Sequence, residues 1–475
     1  MKVRNPRTGQ LDYAIAPLRD SALDALEQRL RSAQPAWASR TPEERGALLL
    51  KLANAVAAHA SAIADALVID TGRKAISFLE VAGIPQSLRR WAGIAPTIIR
   101  NATVVGQDSA TPGIAIDTRL IAYPLVGVIS PWNFPLTLAL IDAIPALAAG
   151  SAVIVKPSEV TPRFIRPLLA AVAAVPEVAS VLAIIEGDGA TGAALVERAD
   201  YIAFTGSVAT GRKVAEAAAR AFIPASLELG GKDPMIVLAS AHVATAAQTA
   251  LRASVVNAGQ ACQSIERVYV DRSIGEAFLT ELVSAAKAVR CNYPDIDQGD
   301  IGPFIFARQA EIVDAQIKDA LAKGARLLCG GQIEQLGGGL YLRPTVLADV
   351  TPDMAVMTEE TFGPVIPVTL FDTVEEALTL ANSGVFGLSG AVLAGTDGEA
   401  SAVGRWLNVG AVSVNDGALT SMVWDAEKSS FGLSGLGPSR MGDTGLLRFF
   451  RKQSLLRQFG KPLPLAAYSE EGMEG

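Results

Sequence analysis

The chain has 475 residues, of which 50% are hydrophobic and 19% are charged, with a formal net charge of −7 at pH 7. This length predicts two or three domains of packed α/β layers, and the acidic balance argues against nucleic acid as a partner. Three cysteines cannot form a disulfide framework, and two histidines without a Cys/His pair at ligand spacing argue against a metal site.

The first hundred residues favour helices. Residues 21–33 are amphipathic, and Thr41 with Glu44 forms a capping box around Pro42 at the first helical position. Further helices are expected from 61 to Gly72 and over 77–94. The N-terminus lacks the apolar core of a signal peptide, so we expect a cytoplasmic protein.

Residues 102–105 and 118–123 are rich in β-formers and predict a long hairpin. The segment 120–141 carries no charge and is long enough to span a bilayer, but its prolines favour strand, loop and helix start, so no membrane contact is expected. Short apolar strands then alternate with helices, which implies parallel βαβ units in a doubly wound sheet. These strands are expected at 126–129, 152–155, 181–185, 201–204 and 235–238.

Two glycine patterns follow predicted strands. Residues 187–192 match GxGxxG, but no acidic residue stands about twenty positions later, so we favour a cluster of turn glycines over a pyrophosphate loop. Gly206 and Gly211 also follow a strand and open a helix. Ser207 and the backbone amides beside it could receive a phosphate at that helix N-terminus.

A second α/β unit begins after Lys232, with strands expected at 267–270, 365–369, 390–393 and 411–414. The glycine-rich segment 432–445 is expected to be a long loop, and 446–456 a strand at a subunit contact. The last residues, 469–475, are predicted to be a frayed tail.

Cys262 lies among small and polar residues after Gly259, where a ligand can approach closely, and is our candidate nucleophile. A lone cysteine is more often a small buried hydrophobe, and this alternative applies to Cys262 until other stretches support it. Cys291 and Cys329 follow an apparent helix and an apolar run, and both are interpreted as structural.

Six short motifs occur in an order that resembles the aldehyde dehydrogenase superfamily, and the resemblance covers nearly the whole chain. The motifs are Pro131-Trp132-Asn133-Phe134-Pro135, Lys156-Pro157-Ser158-Glu159, Phe204-Thr205-Gly206-Ser207, Glu228-Leu229-Gly230-Gly231-Lys232, Gly259-Gln260-Ala261-Cys262 and Glu359-Glu360-Thr361-Phe362-Gly363-Pro364.

The resemblance implies an α/β fold with a Rossmann-type cofactor domain, a second α/β catalytic domain and an oligomerisation hairpin. It places the cofactor domain at 1–102 and 122–230 and the catalytic domain at 231–440. The oligomerisation segments would be 103–121 and 441–475, in a homodimer or homotetramer.

The resemblance also implies oxidation of a small aldehyde to a carboxylic acid. Cys262 would attack the aldehyde, and the Asn133 amide with the Cys262 N–H would stabilise the oxygen of the thiohemiacetal. Glu228 would activate the water that releases the thioester. From the residues alone, a turn former is the favoured interpretation of Asn133, and a backbone cap is the less favoured alternative for Glu228.

The implied cofactor is NAD, with NADP possible. We expect NAD to be preferred, because the Glu159 carboxylate can accept a hydrogen bond from a ribose hydroxyl but would repel a 2′-phosphate. Lys156 nearby could partly offset that repulsion. The residues that match cofactor-binding positions are Trp132, Lys156, Glu159, Gly206, Ser207, Gly211, Glu360 and Phe362.

One departure concerns the C-terminal part of the site. Many family members carry a glutamate just after Ser-Gly-x-Gly, whereas Ser434-Gly435-Leu436-Gly437 is followed here by Pro438-Ser439-Arg440. The position of the hydrolytic water is therefore open. Two alternative functions remain, an acylating semialdehyde dehydrogenase that uses coenzyme A and an idle dinucleotide-binding scaffold, and retention of Glu228 with Cys262 and Asn133 argues against both.

Overall fold

The computed structural model describes residues 1–470, so most of the predicted tail, 471–475, lies outside the described residues. Four helices fill the N-terminal hundred residues, as predicted. The Thr41 capping box is confirmed, because the Thr41 hydroxyl accepts from the Glu44 N–H and the Glu44 carboxylate accepts from the Thr41 N–H. The helices are Asp20–Ala38, Pro42–Ala58, Ala60–Thr71 and Ala75–Asn101.

The predicted hairpin is correct in place but wrong in its first strand. Helix Ala75–Asn101 continues past the predicted end despite Pro85 and Pro96 within it, so residues 102–105 follow the helix and are not a strand. The first strand of the hairpin is the shorter segment Gln107–Asp108, which pairs with Ile114–Ala122. The longer partner of Ile114–Ala122 is Phe450–Gln458, which pairs antiparallel along all nine of its residues.

A six-stranded sheet carries the predicted parallel strands. Its strand order is Gly435–Leu436, Ala225–Glu228, Tyr201–Thr205, Leu125–Ile129, Ala152–Lys156 and Leu182–Ile184. Only Gly435–Leu436 is antiparallel to its neighbour, and it lies in the segment predicted to be a loop. The helices that follow these strands are Pro135–Leu140, Ala143–Ala149, Ile165–Ala173, Pro176–Ala179, Gly189–Val196 and Val208–Ala221.

A seven-stranded sheet forms the second unit. The strand predicted at 235–238 belongs here as Asp233–Val237, because the chain crosses between the sheets at Gly230 and Gly231. In order, the strands are Arg326–Cys329, Thr345–Ala348, Val365–Phe371, Ile265–Asp271, Asp233–Val237, Ser389–Leu393 and Ala411–Val414. Its helices are Val243–Val255, Arg272–Ala288, Ala307–Ala322, Ala355–Thr358, Val374–Asn382, Asp397–Gly404 and Leu419–Met422.

The smaller elements include a correction at the C-terminal end. The strand predicted over 446–456 begins only at Phe450, because Thr444–Leu447 forms a short helix in which Leu446 is fully buried. Three short strand pairs and two 3-10 turns are the remaining elements of residues 1–470. They are Lys2–Arg4 with Leu11–Ala14, Ile333–Leu336 with Gly339–Leu342, Phe386–Gly387 with Phe431–Gly432, and the turns Val256–Gly259 and Leu465–Tyr468.

The apolar residues form separate cores. One core joins the N-terminal helices to the six-stranded sheet, and two others cover the two faces of the seven-stranded sheet. Within residues 1–470 no single helix is long and apolar enough to cross a membrane, although the bent pair Pro42–Ala58 and Ala60–Thr71 passes that test together. The domain limits given above remain a prediction.

Candidate active site

The Cys262 loop follows helix Val243–Val255 and the turn Val256–Gly259. Asn257 and Ala258 adopt positive φ angles of 59° and 53°, which is costly for residues with a side chain and persists only where the surroundings enforce it. Gly259 also has a positive φ, and a Cβ there would lie 2.2 Å from the Gly363 carbonyl oxygen. The backbone of this loop is thus held in a strained conformation beside Cys262.

Buried amides maintain that conformation. The Asn257 Nδ2 donates to the Gln260 carbonyl at 2.9 Å and to the Asn133 carbonyl at 3.2 Å. The Gln260 Nε2 donates to the Asn257 carbonyl at 3.0 Å, and the Gln260 Oε1 accepts from the Ile305 N–H at 2.9 Å. The loop therefore has little freedom to move Cys262.

Asn133 is attached directly to the same loop. Asn133 is 2% exposed, and its Nδ2 donates to the Gln260 carbonyl at 3.1 Å. The Asn133 carbonyl accepts from Arg73 Nη2 at 2.8 Å, which fixes the backbone of this residue from behind. An amide NH₂ has two N–H donors, so one of them is available for a ligand oxygen.

Glu228 ends the strand Ala225–Glu228, opposite Gly435 in the antiparallel register. Its Oε2 accepts from the Ser430 hydroxyl at 2.9 Å, and its side chain is 19% exposed. Three residues further on, a Cβ at Gly231 would lie 2.5 Å from the Cys262 carbonyl oxygen, so the strand end and the cysteine loop approach closely. A partly solvated carboxylate near a thiol can accept a proton from water.

The surroundings of Cys262 oppose ionisation of its thiol. Burial, followed by the charges of Asp233 and Glu360, raises the pKa of Cys262 to about 12, while the charge of Arg440 acts in the opposite direction. A thiol with that pKa is protonated at neutral pH, and the thiolate is the nucleophilic form. Additional positive charge is therefore needed for attack on a carbonyl.

One buried cluster lies on the Glu228 side, and we call Asp142, Arg440 and Arg448 the arginine cluster. The Asp142 carboxylate accepts from Arg440 Nη2 at 2.8 Å and from Arg448 Nη2, and all three residues are buried. Burial would raise the pKa of Asp142, but the two guanidinium charges outweigh it and hold the pKa below its usual value. Asp142 therefore stays ionised between two cations.

A second buried cluster lies near Cys262, and we call Lys232, Glu266, Glu360 and Asp233 the lysine–glutamate cluster. Lys232 Nζ donates to Glu266 Oε2 at 2.8 Å and to the Thr361 hydroxyl at 2.7 Å. The two Glu266 oxygens also accept the N–H groups of Thr361 and Phe362, each at 2.8 Å. This cluster fixes the segment that carries Glu360 and Phe362.

Two acids of the lysine–glutamate cluster have raised pKa values. Burial, followed by the charge of Glu266, raises the pKa of Glu360 to about 8, although the Gly231 N–H donates to its Oε1 at 3.2 Å. Burial raises the pKa of Asp233 to about 7, although Ser389 donates to this carboxyl through its hydroxyl and its N–H. At neutral pH these acids are therefore largely or partly protonated.

Of the residues predicted to bind a dinucleotide, Glu360 and Phe362 precede strand Val365–Phe371 of the seven-stranded sheet, and the others lie at or after strand ends of the six-stranded sheet. Lys156 ends Ala152–Lys156, and its Nζ donates to Glu159 Oε2 at 3.1 Å. Ser207 is exposed and caps helix Val208–Ala221, with its hydroxyl accepting from the Thr210 N–H at 3.3 Å. The first N–H groups of an α-helix have no partner within the helix and favour an anion such as a phosphate.

Other observations also fit a dinucleotide. A Cβ at Gly206 would lie 2.6 Å from the Phe204 ring, and one at Gly211 would lie 2.5 Å from Leu229, so a side chain at either position would have to displace that neighbour. The Trp132 ring lies 5.5 Å from the Phe362 ring, edge to face, and forms an apolar wall near the Glu360 segment. Carboxylate, ammonium and helix N-terminus are the groups that bind ribose and pyrophosphate.

In the GxGxxG match at 187–192, a side chain of the chain itself caps the helix N-terminus. The Asp188 carboxylate accepts from the Ala190 and Thr191 N–H groups and so fills the N-terminus of helix Gly189–Val196. This arrangement supports the interpretation of a turn-glycine cluster. Across residues 1–470, no three His, Cys, Asp or Glu side chains come together in a way that could hold a metal ion.

Sequence reasoning missed several charged or polar residues of the site. Glu266 and Arg267 are charged residues within the buried strand Ile265–Asp271, and Glu266 was a usable signal for a buried partner. Arg440 was noted only as part of the departure after Ser434, and Ser430 had no signal at all. Both are brought to Glu228 by strand pairing between residues about 200 positions apart.

A model of the aldehyde dehydrogenase family matches residues 1–455. A Mycolicibacterium smegmatis protein with the provisional name succinate-semialdehyde dehydrogenase [NADP(+)] is 36% identical over 434 residues, which cover 90% of this chain and 83% of that protein.

This chain is also similar to proteins of solved structure. A provisionally named aldehyde dehydrogenase, PutA, from Anabaena variabilis has a TM-score of 0.95 and 50% identity, covering 98% of both chains. Betaine aldehyde dehydrogenase from Staphylococcus aureus, a point mutant in complex with NAD+, has a TM-score of 0.89 and 28% identity, covering 98% of this chain and 95% of that one.

Proposed function

Because this chain belongs to the aldehyde dehydrogenase family and oxidises aldehydes with NAD(P), we propose that it releases a free carboxylic acid through a thioester on Cys262. The observation that carries the proposal is the position of Glu228, whose carboxylate is partly solvated and held by Ser430 where the strand end approaches the Cys262 loop. An acid product requires such a base beside the thioester.

In the first half of the proposed reaction, the Cys262 sulfur attacks the aldehyde carbon. The negative oxygen that forms accepts hydrogen bonds from the Asn133 amide and the Cys262 N–H. These donors are already fixed, because Asn133 is buried and bonded to the Gln260 carbonyl, so little reorganisation is needed as the charge develops.

The nicotinamide, when bound, accepts the hydride and adds positive charge near the thiol. We propose that Lys156 and Glu159 hold the adenosine ribose, and that Gly206, Ser207 and Gly211 receive the pyrophosphate at the helix N-terminus. Glu360, Phe362 and Trp132 would hold the nicotinamide half, with Glu360 and Phe362 fixed by the Glu266 carboxylate and the Gly231 N–H.

In the second half, Glu228 accepts a proton from water as the water attacks the thioester carbon, and the bond from that carbon to the Cys262 sulfur then breaks, which releases the acid and leaves Cys262 as the thiolate. Hydrolysis is proposed rather than transfer to coenzyme A, because a transferase route needs no base at this position. The alternative of an idle scaffold would leave the buried amides around Asn133 and Cys262 without a purpose.

A substrate panel tests the proposed product. Aliphatic, aromatic and semialdehyde substrates are incubated with NAD or NADP, reduced cofactor is followed by absorbance, and the product is identified by mass spectrometry with and without coenzyme A. We expect free acid in both cases and no acceleration by coenzyme A. Formation of acyl-coenzyme A at an increased rate would establish the transferase instead, and absence of turnover on every aldehyde would favour the scaffold.

We further propose a homo-oligomer, a dimer or a tetramer, with contacts through Ile114–Ala122 and Phe450–Gln458. Support comes from exposed apolar side chains beside this pairing, with Leu456 69% and Phe459 68% exposed. Light scattering at micromolar concentration should give at least twice the chain mass, and a monomer mass would overturn this proposal. Three free cysteines support a cytoplasmic location.

We propose the domain division on the same basis. The cofactor domain would comprise 1–102 and 122–230, which include all parallel strands of the six-stranded sheet, and the catalytic domain 231–440, which includes all strands of the seven-stranded sheet. The oligomerisation segments would be 103–121 and 441–475. Limited proteolysis that cut first inside either sheet, and not between these units, would argue against the division.

A further inference from the structure

The arginine cluster holds more positive than negative charge. Asp142 carries one carboxylate, and it is shared by the guanidinium groups of Arg440 and Arg448. Arg440 Nη2 also donates to the Thr205 hydroxyl at 2.5 Å, so this guanidinium is fixed at two points. One positive charge is therefore left over in a buried place, where an uncompensated charge is costly unless another anion is near.

The nearest further anion is the candidate base. Arg440 Nε lies 3.9 Å from Glu228 Oε1, and the Arg440 side chain is 8% exposed. Among residues 1–470, Nε finds no hydrogen-bond acceptor, although it is buried. A buried N–H without an acceptor is costly, so its place beside the Glu228 carboxylate points to a role in the site.

We propose that Arg440 is a positioning residue that holds the Glu228 carboxylate beside Cys262 and supplies the permanent positive charge against which the Cys262 thiolate forms. The proposal rests on the roles of Cys262 and Glu228 proposed above. It assigns a function to the segment after Ser434-Gly435-Leu436-Gly437, where the sequence lacks the glutamate of many family members.

The other charged groups around Cys262 do not supply this charge. Asp233, Glu360 and Glu228 all raise the pKa of the thiol when they are ionised, whereas Arg440 lowers it. Lys428 is the second cation near Cys262, but burial lowers its pKa, and its Nζ donates to the Thr420 carbonyl at 3.1 Å. A guanidinium stays charged at every working pH, so Arg440 is the dependable source.

Three side chains act on the Glu228 carboxylate. Ser430 donates to it, Arg440 approaches it, and Lys428 acts on it by charge. Ser430 can orient the carboxylate but carries no charge. The Arg440 guanidinium brings a permanent positive charge to within 3.9 Å of it.

The test is the rate at which iodoacetamide alkylates Cys262 in the full chain without substrate, measured peptide by peptide by mass spectrometry from pH 7 to pH 9. Below the pKa of a thiol, the reactive thiolate fraction falls about tenfold for each unit by which that pKa rises. We expect Arg440→Met to slow alkylation of Cys262 at least about tenfold at every pH in this range. Arg440→Lys should restore most of the rate, because it restores the charge.

Arg448→Met is the matched control. Arg448 shares Asp142 with Arg440 and is fully buried, yet its remaining hydrogen bond is to the Gly445 carbonyl and not to the site. Either methionine variant leaves Asp142 with one arginine, so their losses of stability should be similar. Only Arg440→Met should slow alkylation, and if it does not fold, Arg440→Gln replaces it.

Three results would overturn the proposal: an unchanged alkylation rate in Arg440→Met, an equal slowing in Arg448→Met, or Arg440→Lys behaving like the methionine variant. Failure of the proposed function is distinguishable from these results. If Cys262→Ala still oxidised aldehydes, Cys262 would not be the nucleophile, and the alkylation rates would have no bearing on catalysis.

Discussion

The two buried clusters beside the Cys262 loop balance their charges in opposite ways. In the arginine cluster, two guanidinium groups share the Asp142 carboxylate, and its pKa is held below the usual value. In the lysine–glutamate cluster, Lys232 is the only ammonium against Glu266, and neighbouring acids have their pKa values raised to about 7 and about 8.

The difference indicates two tasks. The lysine–glutamate cluster reduces its charge by protonating acids, and its hydrogen bonds to Thr361 and Phe362 hold a backbone segment in place. The arginine cluster keeps an excess of positive charge next to Glu228, at the cost of an unpaired Arg440 Nε. The lysine–glutamate cluster thus fixes the position of a backbone segment, and the arginine cluster supplies positive charge.

The largest expected effect concerns Glu266→Gln in the lysine–glutamate cluster. This change leaves the buried Lys232 without its carboxylate partner, so we expect the free energy of unfolding to fall by about 3–5 kcal/mol. Urea titration measures it. The matched control is Glu334→Gln, whose partner Arg343 is half-exposed, where we expect about 1 kcal/mol or less. Equal, small losses in both variants would show that the cluster does not stabilise this region.

A smaller effect, the pH dependence of the free energy of unfolding, should distinguish the lysine–glutamate cluster from the arginine cluster. The pKa of Glu360 is raised from 4.5 to about 8, so the native protein holds a proton that the unfolded chain releases in this window. The free energy of unfolding must then fall as pH rises from about 4.5 to 8, by at most about 1.4 kcal/mol per pH unit from this group. Glu360→Gln should flatten the slope.

Some slope should remain in Glu360→Gln, because burial also raises the pKa values of Asp70 and Asp233 to about 7. The matched control is Glu359→Gln, at the exposed neighbouring position, which should leave the slope unchanged. Urea midpoints at several pH values give the answer. A Glu360→Gln slope equal to that of the wild type would mean that this carboxyl is ionised in the folded protein.

The smallest effect is expected at the ion pair between the buried Lys156 and the partly exposed Glu159, which extends the comparison to an ion pair outside both clusters. Glu159→Gln removes the negative charge that would repel a 2′-phosphate and frees Lys156 to attract one. The ratio of kcat/KM for NAD over NADP should fall about two- to fivefold, because Glu159 is partly exposed and solvent screens its charge. A wild type that favours NADP, or a ratio unaffected by the substitution, would contradict the assignment of Glu159.

Most strands could be predicted from the sequence, because buried parallel strands are short apolar runs between turn residues. The runs around 126–129 and 152–155 are strands in the structure with one residue added. The prediction failed at 102–105, where residues with β-propensity follow a helix that packing extends to Asn101. Local propensity alone cannot register such tertiary packing.

The candidate site was predictable where a motif is continuous in sequence. Cys262, Asn133 and Glu228 each lie in such a motif, and the structure connects Asn133 to the Cys262 loop through Gln260. Arg440 was not predictable as a neighbour of Glu228, because the contact depends on Gly435–Leu436 pairing with Ala225–Glu228. Because residues 432–445 were expected to form a loop, there was no predicted strand pairing from which this contact could be inferred.

The central claim is that Cys262 forms a thioester which Glu228 helps to hydrolyse, and stopped-flow absorbance of Glu228→Gln with excess aldehyde and NAD tests it most directly. We predict a burst of about one reduced cofactor per active site, followed by turnover slowed about a hundredfold or more, the usual contribution of a positioned base. Cys262→Ala should show neither burst nor turnover, and Cys329→Ala should match the wild type. Wild-type turnover in Glu228→Gln would place the base elsewhere, and loss of its burst would contradict the separation of the reaction into two halves.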